Sequence, residues 1–395
     1  MSNADAFRRE TRAWLEKNAP AIAYQPVPST EDLCWGGRKS VYEPGVKQWL
    51  DVMAERGWTA PMWPKEYGGG GLDKHEARIL GQEMASLGLR PALIGFGLSM
   101  IGPLLLQEGS EDLKKTHLPP IVRGEIRWCQ GYSEPGAGSD LASLQTRAVV
   151  DGDDFVLNGQ KVWTSYADKA DWMFILVRTE PSAPKHEGIT FLLMDMNLPG
   201  VSVRPIRLIS GASPFCETFL ADVRVPRANV VGRINNGWTM AKALLGHERT
   251  MIAGMGASER TTSDSLPDLA RRYIDEEDGR LSDPVLRDRV AQLEIDRKCF
   301  ELTLSRSRDG MKAGHKPGPE TSFFKLYGTE LNQRRRELMV QIAGPQGLGW
   351  EGDGFSDDEL RMTRDWLRSR GNSIEGGTSE VQLNIIAKRV LGLPD

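Results

Sequence analysis

The chain has 395 residues, 39% hydrophobic and 26% charged, with a formal net charge of −4, a profile of an ordinary soluble protein long enough for two or three domains. Its mild acidity excludes the basic face expected of a nucleic-acid binder. The four cysteines, Cys34, Cys129, Cys216 and Cys299, form no C-x-x-C pair, which excludes a zinc ribbon or disulfide framework, leaves no metal site to expect, and suits a reducing, cytoplasmic setting.

The opening MSNADAFRRETRAWLEKN holds Asp5, Glu10 and Glu16 and no apolar stretch, so it does not read as a secretory signal. Residues 1–125 read as a helical domain. Phe7, Trp14 and Leu15 share one helix face, and Val46, Trp49, Leu50 and Met53 share another. WPKEYGGGG (63–71) lacks both the preceding strand and the Gly-Lys-Ser/Thr of a phosphate loop, and reads as a plain turn. The uncharged run from Pro91 to Gln107 is interrupted by Gly95, Gly97, Gly102 and Pro103, which favours a buried core helix over a membrane span. Those glycines either allow close helix packing, the preferred reading, or leave room for a bulky ligand.

Residues 126–233 change to strand texture. TRAVVDGDDFVLNGQKVWT reads as strand, Asp-Gly turn, strand, Asn-Gly turn, strand. WMFILVRT (172–179) suits a strand buried on both faces, and GITFLLMDM, GVSVRPI and ETFLADVRVP add more. A mostly antiparallel β domain, a small barrel or sandwich, is expected. Residues 234–395 return to helices. Leu286, Val290, Leu293, Phe300 and Leu304 form one bundle stripe, and Phe324, Tyr327, Leu331, Leu338 and Ile342 form a second. The last helix should start near Thr378 or Ser379, with Ser379 and Gln382 spaced for a capping box.

The chemistry concentrates in CQGYSEPGAGSDLASLQTRA (129–148), where glycines permit close backbone approach to a flat ligand and hydroxyls can bond a polar ring edge. Its core, Ser-Glu-Pro-Gly-Ala-Gly-Ser-Asp, is followed by QKVWTS (160–165), then QIAGPQGLG (341–349), and the closing GGTSEVQLNIIAKRVLGLP. These four ordered motifs resemble those of the FAD-dependent acyl-CoA dehydrogenases, and the resemblance spans essentially the whole chain. It implies an α+β fold: an N-terminal helical domain, a central β-barrel or sandwich domain and a C-terminal four-helix bundle, agreeing with the texture above. It implies FAD as cofactor, an acyl-CoA substrate, an electron-transfer flavoprotein or similar acceptor, and a homo- or hetero-oligomer.

The resemblance also implies site roles. Tyr132, Ser133, Gly138 and Ser139 belong to the flavin loop, with Ser139 also near the thioester end of the substrate. Trp163, Thr164 and Ser165 should pack against the flavin and reach its N5 edge. Gln341, Gly344 and Gly347 should meet the diphosphate of a neighbouring subunit's FAD, and Thr378 and Glu380 should face FAD from a helix N-terminus. One departure stands out. Where the family often carries an Arg-x-x-Phe-Gly clamp, this chain has RRYIDEEDGRLSDPVL (271–286), with Arg280 as a candidate remnant. An acidic loop suits a diphosphate poorly, so either FAD is held differently or a non-identical subunit supplies the clamp.

The implied reaction needs one carboxylate base for the α-proton, with hydride leaving for flavin N5. In many relatives the base directly precedes Gly-Thr near the C-terminus. Here that place is Gly376, and Glu375 stands one residue early, which in an extended segment turns it away. The second family location is the first bundle helix, just before an Arg. There Glu248 sits among Leu244, Leu245, Met251 and Ile252 at helical spacing, followed by Arg249. A carboxylate within an apolar stripe is a candidate functional acid. Glu248 is therefore the expected base and Arg249 the expected substrate or site contact, with Glu375, or no base in this chain, as alternatives. The expected reaction is oxidation of an acyl-CoA to its trans-2-enoyl-CoA. A flavin monooxygenase or oxidase on the same fold, and a non-catalytic partner subunit, remain the rival readings.

Overall fold

The computed structural model describes residues 3–27, 32–244, 265–314 and 318–394. They divide into two compact units, the first from residues up to Ile206 and again from Pro214 to 244, the second from Arg207–Ser213 and the described residues beyond 264.

The first unit opens with helices: α1 (Asn3–Asn18), α2 (Pro44–Glu55), α3 (Lys74–Ser86), α4 (Gly102–Glu108) and α5 (Glu111–Val122). Trp49, Leu50 and Met53 are the buried positions of α2, and Asp73 and Glu76 close a capping box on α3. The uncharged run enters α4 through a π-helical turn, Gly97–Ile101, with Met100, Ile101, Leu104 and Leu105 fully enclosed. A Cβ on Gly102 would lie 2.0 Å from Trp63 Cη2, and one on Gly97 would lie 3.0 Å from Ile121 Cγ2. Both glycines therefore serve close packing. Gly69 and Gly70 do likewise, since a Cβ on Gly69 would lie 2.3 Å from the Trp63 carbonyl oxygen and one on Gly70 2.8 Å from that of Pro61.

Seven strands follow: β1 (Trp128–Gly131), β2 (Arg147–Asp151), β3 (Asp154–Ser165), β4 (Trp172–Arg178), β5 (Ile189–Asp195), β6 (Val201–Ile206) and β7 (Phe215–Pro226). They join one curled sheet in the order β1-β4-β2-β3-β7-β6, with β5 on the other edge of β4. Most pairs are antiparallel, but β1 runs parallel to β4. The apolar run of β4 is buried on both faces. Phe174 and Leu176, with Phe191 and Leu193 of β5, pack on Met100, Leu104, Leu118 and Ile121 of the helical layer. Met173, Ile175 and Val177 pack on Phe155, Leu157, Leu220 and Val223 inside the curl. Residues 237–244 are helical (α6), and Leu244 is fully buried.

One expected turn is absent. Gly152 and Asp153 do link β2 to β3, but Asn158-Gly159 lies inside a continuous β3. There the ladder with β7 shifts register between Leu157 and Gly159, a bulge rather than a hairpin. A Cβ on Gly159 would lie 2.6 Å from Thr146 Oγ1, so the glycine serves the close approach of β2.

In the second unit, α7 (Leu266–Tyr273), α8 (Pro284–Lys312), α9 (Thr321–Ala343), α10 (Asp357–Ser369) and α11 (Ser379–Ile385) surround a core that includes Val290, Leu293, Leu331, Leu338 and Ile342. The stripe positions Leu286, Phe300 and Tyr327 pack on its edge. Two short strands, β8 (Glu276–Glu277) and β9 (Arg280–Leu281), form a hairpin whose turn residues Asp278 and Gly279 both have positive φ, the geometry that favours Asp-Gly.

Candidate active site

The first unit brings the loop 132–139 and the end of β3 together. Val162 N donates to the Ser133 carbonyl at 2.9 Å. Behind this contact lies a buried ion pair that the motifs did not assign. Lys161, fully enclosed, donates from Nζ to Glu134 Oε1 at 2.7 Å and to the Tyr132 carbonyl at 3.1 Å. Glu134 also accepts the backbone N–H groups of Gln145 at 2.6 Å and Thr146 at 2.9 Å. Burial alone would raise the Glu134 carboxyl, but the Lys161 charge and these donors hold it below the usual carboxylate range. Burial pushes the Lys161 ammonium down to about 8 despite its partner, because the lysine loses all contact with water whereas the glutamate gains two further donors. Arg178 completes the scaffold, donating to the carbonyls of Ala142 at 2.6 Å, Lys185 at 3.0 Å and Leu144 at 3.3 Å. The loop that carries Ser139 is thus tied at both ends. Glu134 and Lys161 stand within the quoted motifs, yet their 27-residue separation gives no local signal of pairing.

Trp163 departs from ordinary strand geometry. Its φ is 59°, left-handed for a bulky residue, at a second register shift between Lys161 and Thr164. Such a conformation costs about 1 kcal/mol or more and persists where surrounding structure enforces it. It leaves the indole 54% exposed, edge-on to Phe215 at 6.0 Å. Thr164 turns the other way: its hydroxyl is buried, donates to the Cys216 carbonyl at 2.8 Å and lies 3.0 Å from Thr218 Oγ1. Of the three motif residues, then, Trp163 and the half-buried Ser165 present side chains outward. Ser133 is half-buried, Gly138 and Ser139 are exposed, and Tyr132 is buried edge-on to Phe174 and Phe191. Nothing lies within 4 Å of a Cβ built on Gly136 or Gly138. An exposed aromatic face, open glycine backbone and nearby serine hydroxyls fit a flat, polar-edged ring system such as a flavin.

In the second unit, Gly344 (φ 56°) ends α9, Gln341 is exposed one turn earlier, and Gly347 is buried against Val340. Thr378, rather than Ser379, caps α11, accepting from Val381 N, because the helix starts at Ser379. Glu380 is exposed, its carboxyl held below the usual range by its own backbone N–H and the Thr378 hydroxyl. Glu375 is committed elsewhere: Arg368 Nη2 donates to it at 2.7 Å and Asn372 Nδ2 at 2.6 Å. Gly376 and Gly377 both have positive φ, so the vacated acid position is a turn open to glycine. Glu248 and Arg249 lie outside the described residues.

Three family models match the chain: acyl-CoA dehydrogenase N-terminal domain over residues 3–125, middle domain over 129–223 and C-terminal domain over 235–391. Acyl-CoA dehydrogenase IpdE1 of Mycobacterium tuberculosis is 35% identical over 395 residues, covering 100% of this chain and 99% of the relative. Acyl-CoA dehydrogenase FadE34 of the same organism is 39% identical over 346 residues, covering 87% of this chain and 46% of its own length. Among solved structures, the Tcur3481-Tcur3483 steroid ACAD superposes with a TM-score of 0.76 at 31% identity, covering 99% of this chain and 97% of that one. The ChsE4-ChsE5 complex from Mycobacterium tuberculosis gives 0.73 at 30% identity, covering 100% and 98%. Among the described residues no helix is long and apolar enough to cross a membrane. The chain belongs to the acyl-CoA dehydrogenase family of FAD-dependent oxidoreductases.

Proposed function

We propose that this chain oxidises an acyl-CoA thioester to the trans-2-enoyl-CoA, with Glu248 as the base that takes the α-proton. The observation that carries the choice of base is the commitment of Glu375 to Arg368 and Asn372 beside the glycine turn at Gly376 and Gly377. The Glu375 carboxylate is already engaged by an arginine and an amide, and Glu248 is the remaining carboxylate at a family base position. FAD, when bound, supplies the hydride acceptor for the β-hydrogen. Trp163 supports its ring face. Ser133, Ser165 and the backbone of Tyr132, Gly138 and Ser139 meet its polar edge, and Thr164 contributes backbone only. Ser139 and Arg249 contact the substrate. Gln341, Gly344, Gly347, Thr378 and Glu380 hold the remainder of the cofactor. Residues 1–125, 126–233 and 234–395 act as its helical, β and bundle domains. The protein works in the cytoplasm and passes electrons to an electron-transfer flavoprotein or similar acceptor.

The test is Glu248→Gln. It should retain FAD and bind acyl-CoA but lose anaerobic flavin bleaching by about 10³-fold or more, whereas Glu375→Gln should keep it. Full activity in Glu248→Gln refutes the base assignment. A second reading, a heteromeric assembly, is favoured by the acidic β8–β9 hairpin at the clamp position and by the ChsE4-ChsE5 complex among similar structures. Stoichiometric FAD on the chain purified alone would sink it.

A further inference from the structure

The stretch that joins α10 to α11 is braced from two helices by a chain of hydrogen bonds within the second unit. From α9, Lys325 Nζ donates to the Asn372 carbonyl at 3.0 Å, and Asn332 Nδ2 donates to Asn372 Oδ1 at 2.9 Å. Gln333 Nε2 donates to the Ser369 carbonyl at 2.9 Å. These three residues are spaced i, i+7, i+8, so one face of α9 carries them all. Asn372 passes the restraint on, its Nδ2 donating to Glu375 Oε1 at 2.6 Å. Arg368, in the last turn of α10, grips the other carboxylate oxygen, Nη2 to Oε2 at 2.7 Å. The Glu375 backbone N–H adds a bond to the Gly371 carbonyl at 3.0 Å. Beyond Glu375 come Gly376 (φ 63°) and Gly377 (φ 92°), whose carbonyls accept long bonds from Gln382 Nε2 at 3.5 and 3.4 Å. Thr378 and Glu380 follow directly.

Two successive glycines are the loosest unit a chain can place before a ligand-holding segment. Left free, such a turn is ordered only when the ligand binds, and the ordering weakens affinity. A firm anchor on the residue just before it removes that cost beforehand. We propose that Glu375 is a positioning residue: gripped by Arg368 and Asn372, it sets the Gly376–Gly377 turn so that Thr378 and Glu380 stand in place before FAD arrives. This rests on the assignment of Thr378 and Glu380 to the cofactor, but not on Glu248 as base. The Arg368 and Glu375 side chains are 32% and 40% exposed. Ion pairs that open to water add little to overall stability, so the brace acts on local order. It also separates from a base role in kind. A base sets the rate of proton removal once every ligand is bound, whereas a brace sets the affinity of what it orders.

The experiment titrates FAD into the full-length protein stripped of flavin. Glu375→Gln keeps an oxygen for Asn372 but removes the charge that Arg368 grips, and FAD affinity should fall about tenfold. Anaerobic flavin reduction at saturating FAD, by the fastest of a panel of straight-chain thioesters from butyryl-CoA to palmitoyl-CoA, should stay within about twofold. The unfolding midpoint of the flavin-free protein should move by no more than about 3 °C. Arg368→Gln should repeat the pattern, and the double variant should be no worse than either single one, because each removes the same brace. Arg368→Lys, which keeps a cationic donor, should recover most of the affinity. A merely structural role lowers the unfolding midpoint and leaves the affinity of the folded protein unchanged. Unchanged affinity in Glu375→Gln, or additive losses in the double variant, overturns the proposal. Lost reduction at saturating FAD in Glu375→Gln makes Glu375 the base, and overturns the brace and Glu248 together. A fully active Glu248→Gln beside the expected titrations overturns the base assignment alone and supports the brace. Failure of the unaltered protein to take up FAD overturns the cofactor assignment and this inference with it.

Discussion

Replacing Lys161 with Met isolates the contribution of the ion pair behind the loop 132–139. The substitution keeps the length and apolar stem of the side chain but leaves Glu134, 8% exposed, without its cation, and the Tyr132 carbonyl without a donor. Removing one partner of a buried pair costs about 3–5 kcal/mol. The two backbone donors from Gln145 and Thr146 remain on Glu134, which places the expected loss near the low end, about 3 kcal/mol near pH 7, where Lys161 is still protonated. The pH dependence gives a second handle. With Lys161 present the Glu134 carboxyl lies below its ordinary value, so the stability it contributes is present above that ordinary value and is lost as pH falls through the folded one. In Lys161→Met the unpaired carboxyl should instead titrate above its ordinary value. The folded variant then binds a proton the unfolded chain does not, and its deficit shrinks as pH falls from about 7 to 5. Urea unfolding of the FAD-free protein at several pH values measures this, and absorbance near 450 nm reports retained flavin. A deficit under about 1 kcal/mol, or one that is flat with pH, refutes the claim that this pair carries the loop.

Three other predictions are independent of it. Trp163→Gly relieves a left-handed φ and removes a half-exposed ring, so the apo protein should change by no more than about 1 kcal/mol, while FAD affinity, measured by titration, falls roughly tenfold. His117 is buried between Trp128 and Trp172 with its pKa lowered to about 4 by burial. The unfolded chain therefore takes a proton near pH 6.5 that the folded one refuses, and about 3 kcal/mol of stability is lost as pH falls from 6.5 to 4. His117→Phe should flatten that acid limb, and an unchanged limb would assign it elsewhere. Gly102→Ala trades about 1 kcal/mol of helix propensity against a Cβ set 2.0 Å from Trp63 Cη2. Overpacking should win, lowering Tm by an amount that corresponds to about 1–3 kcal/mol.

What the sequence made legible was what repeats locally. The stripes of α8 and α9 and the unbroken apolar run of β4 each state their environment within one element. The Asn158-Gly159 signal misled because a two-residue hairpin cue says nothing of the partner strand, and β7 continues the ladder past it. The cap at Thr378 rather than Ser379 turns on a single residue of helix start, finer than periodicity resolves. Near the candidate site, the motif string singled out Ser133, Trp163 and Thr164 together, but it could not tell that the Thr164 hydroxyl faces inward, at a register shift in the ladder with β7. The Glu134–Lys161 pair and the Arg178 ties join residues distant in sequence, and no window-based pattern contains them. Glu248, the proposed base, lies outside the described residues, and its choice rests on its place in the sequence and on the engagement of Glu375.

The two-faced burial of β4 and β5 carries a consequence for how the chain can be divided. One face of these strands completes the interior of the curled sheet, and the other completes the interior of the N-terminal helices. Two family domains therefore share a party wall, and neither owns it. A fragment cut at the border near residue 126 would leave Phe174, Leu176, Phe191 and Leu193 bare on one piece, and Met100, Leu104, Leu118 and Ile121 bare on the other. Both pieces would be sticky, and neither would melt as an independent unit. Exchange of either module at that junction would consequently have to preserve the partner's half of the wall, side chain for side chain.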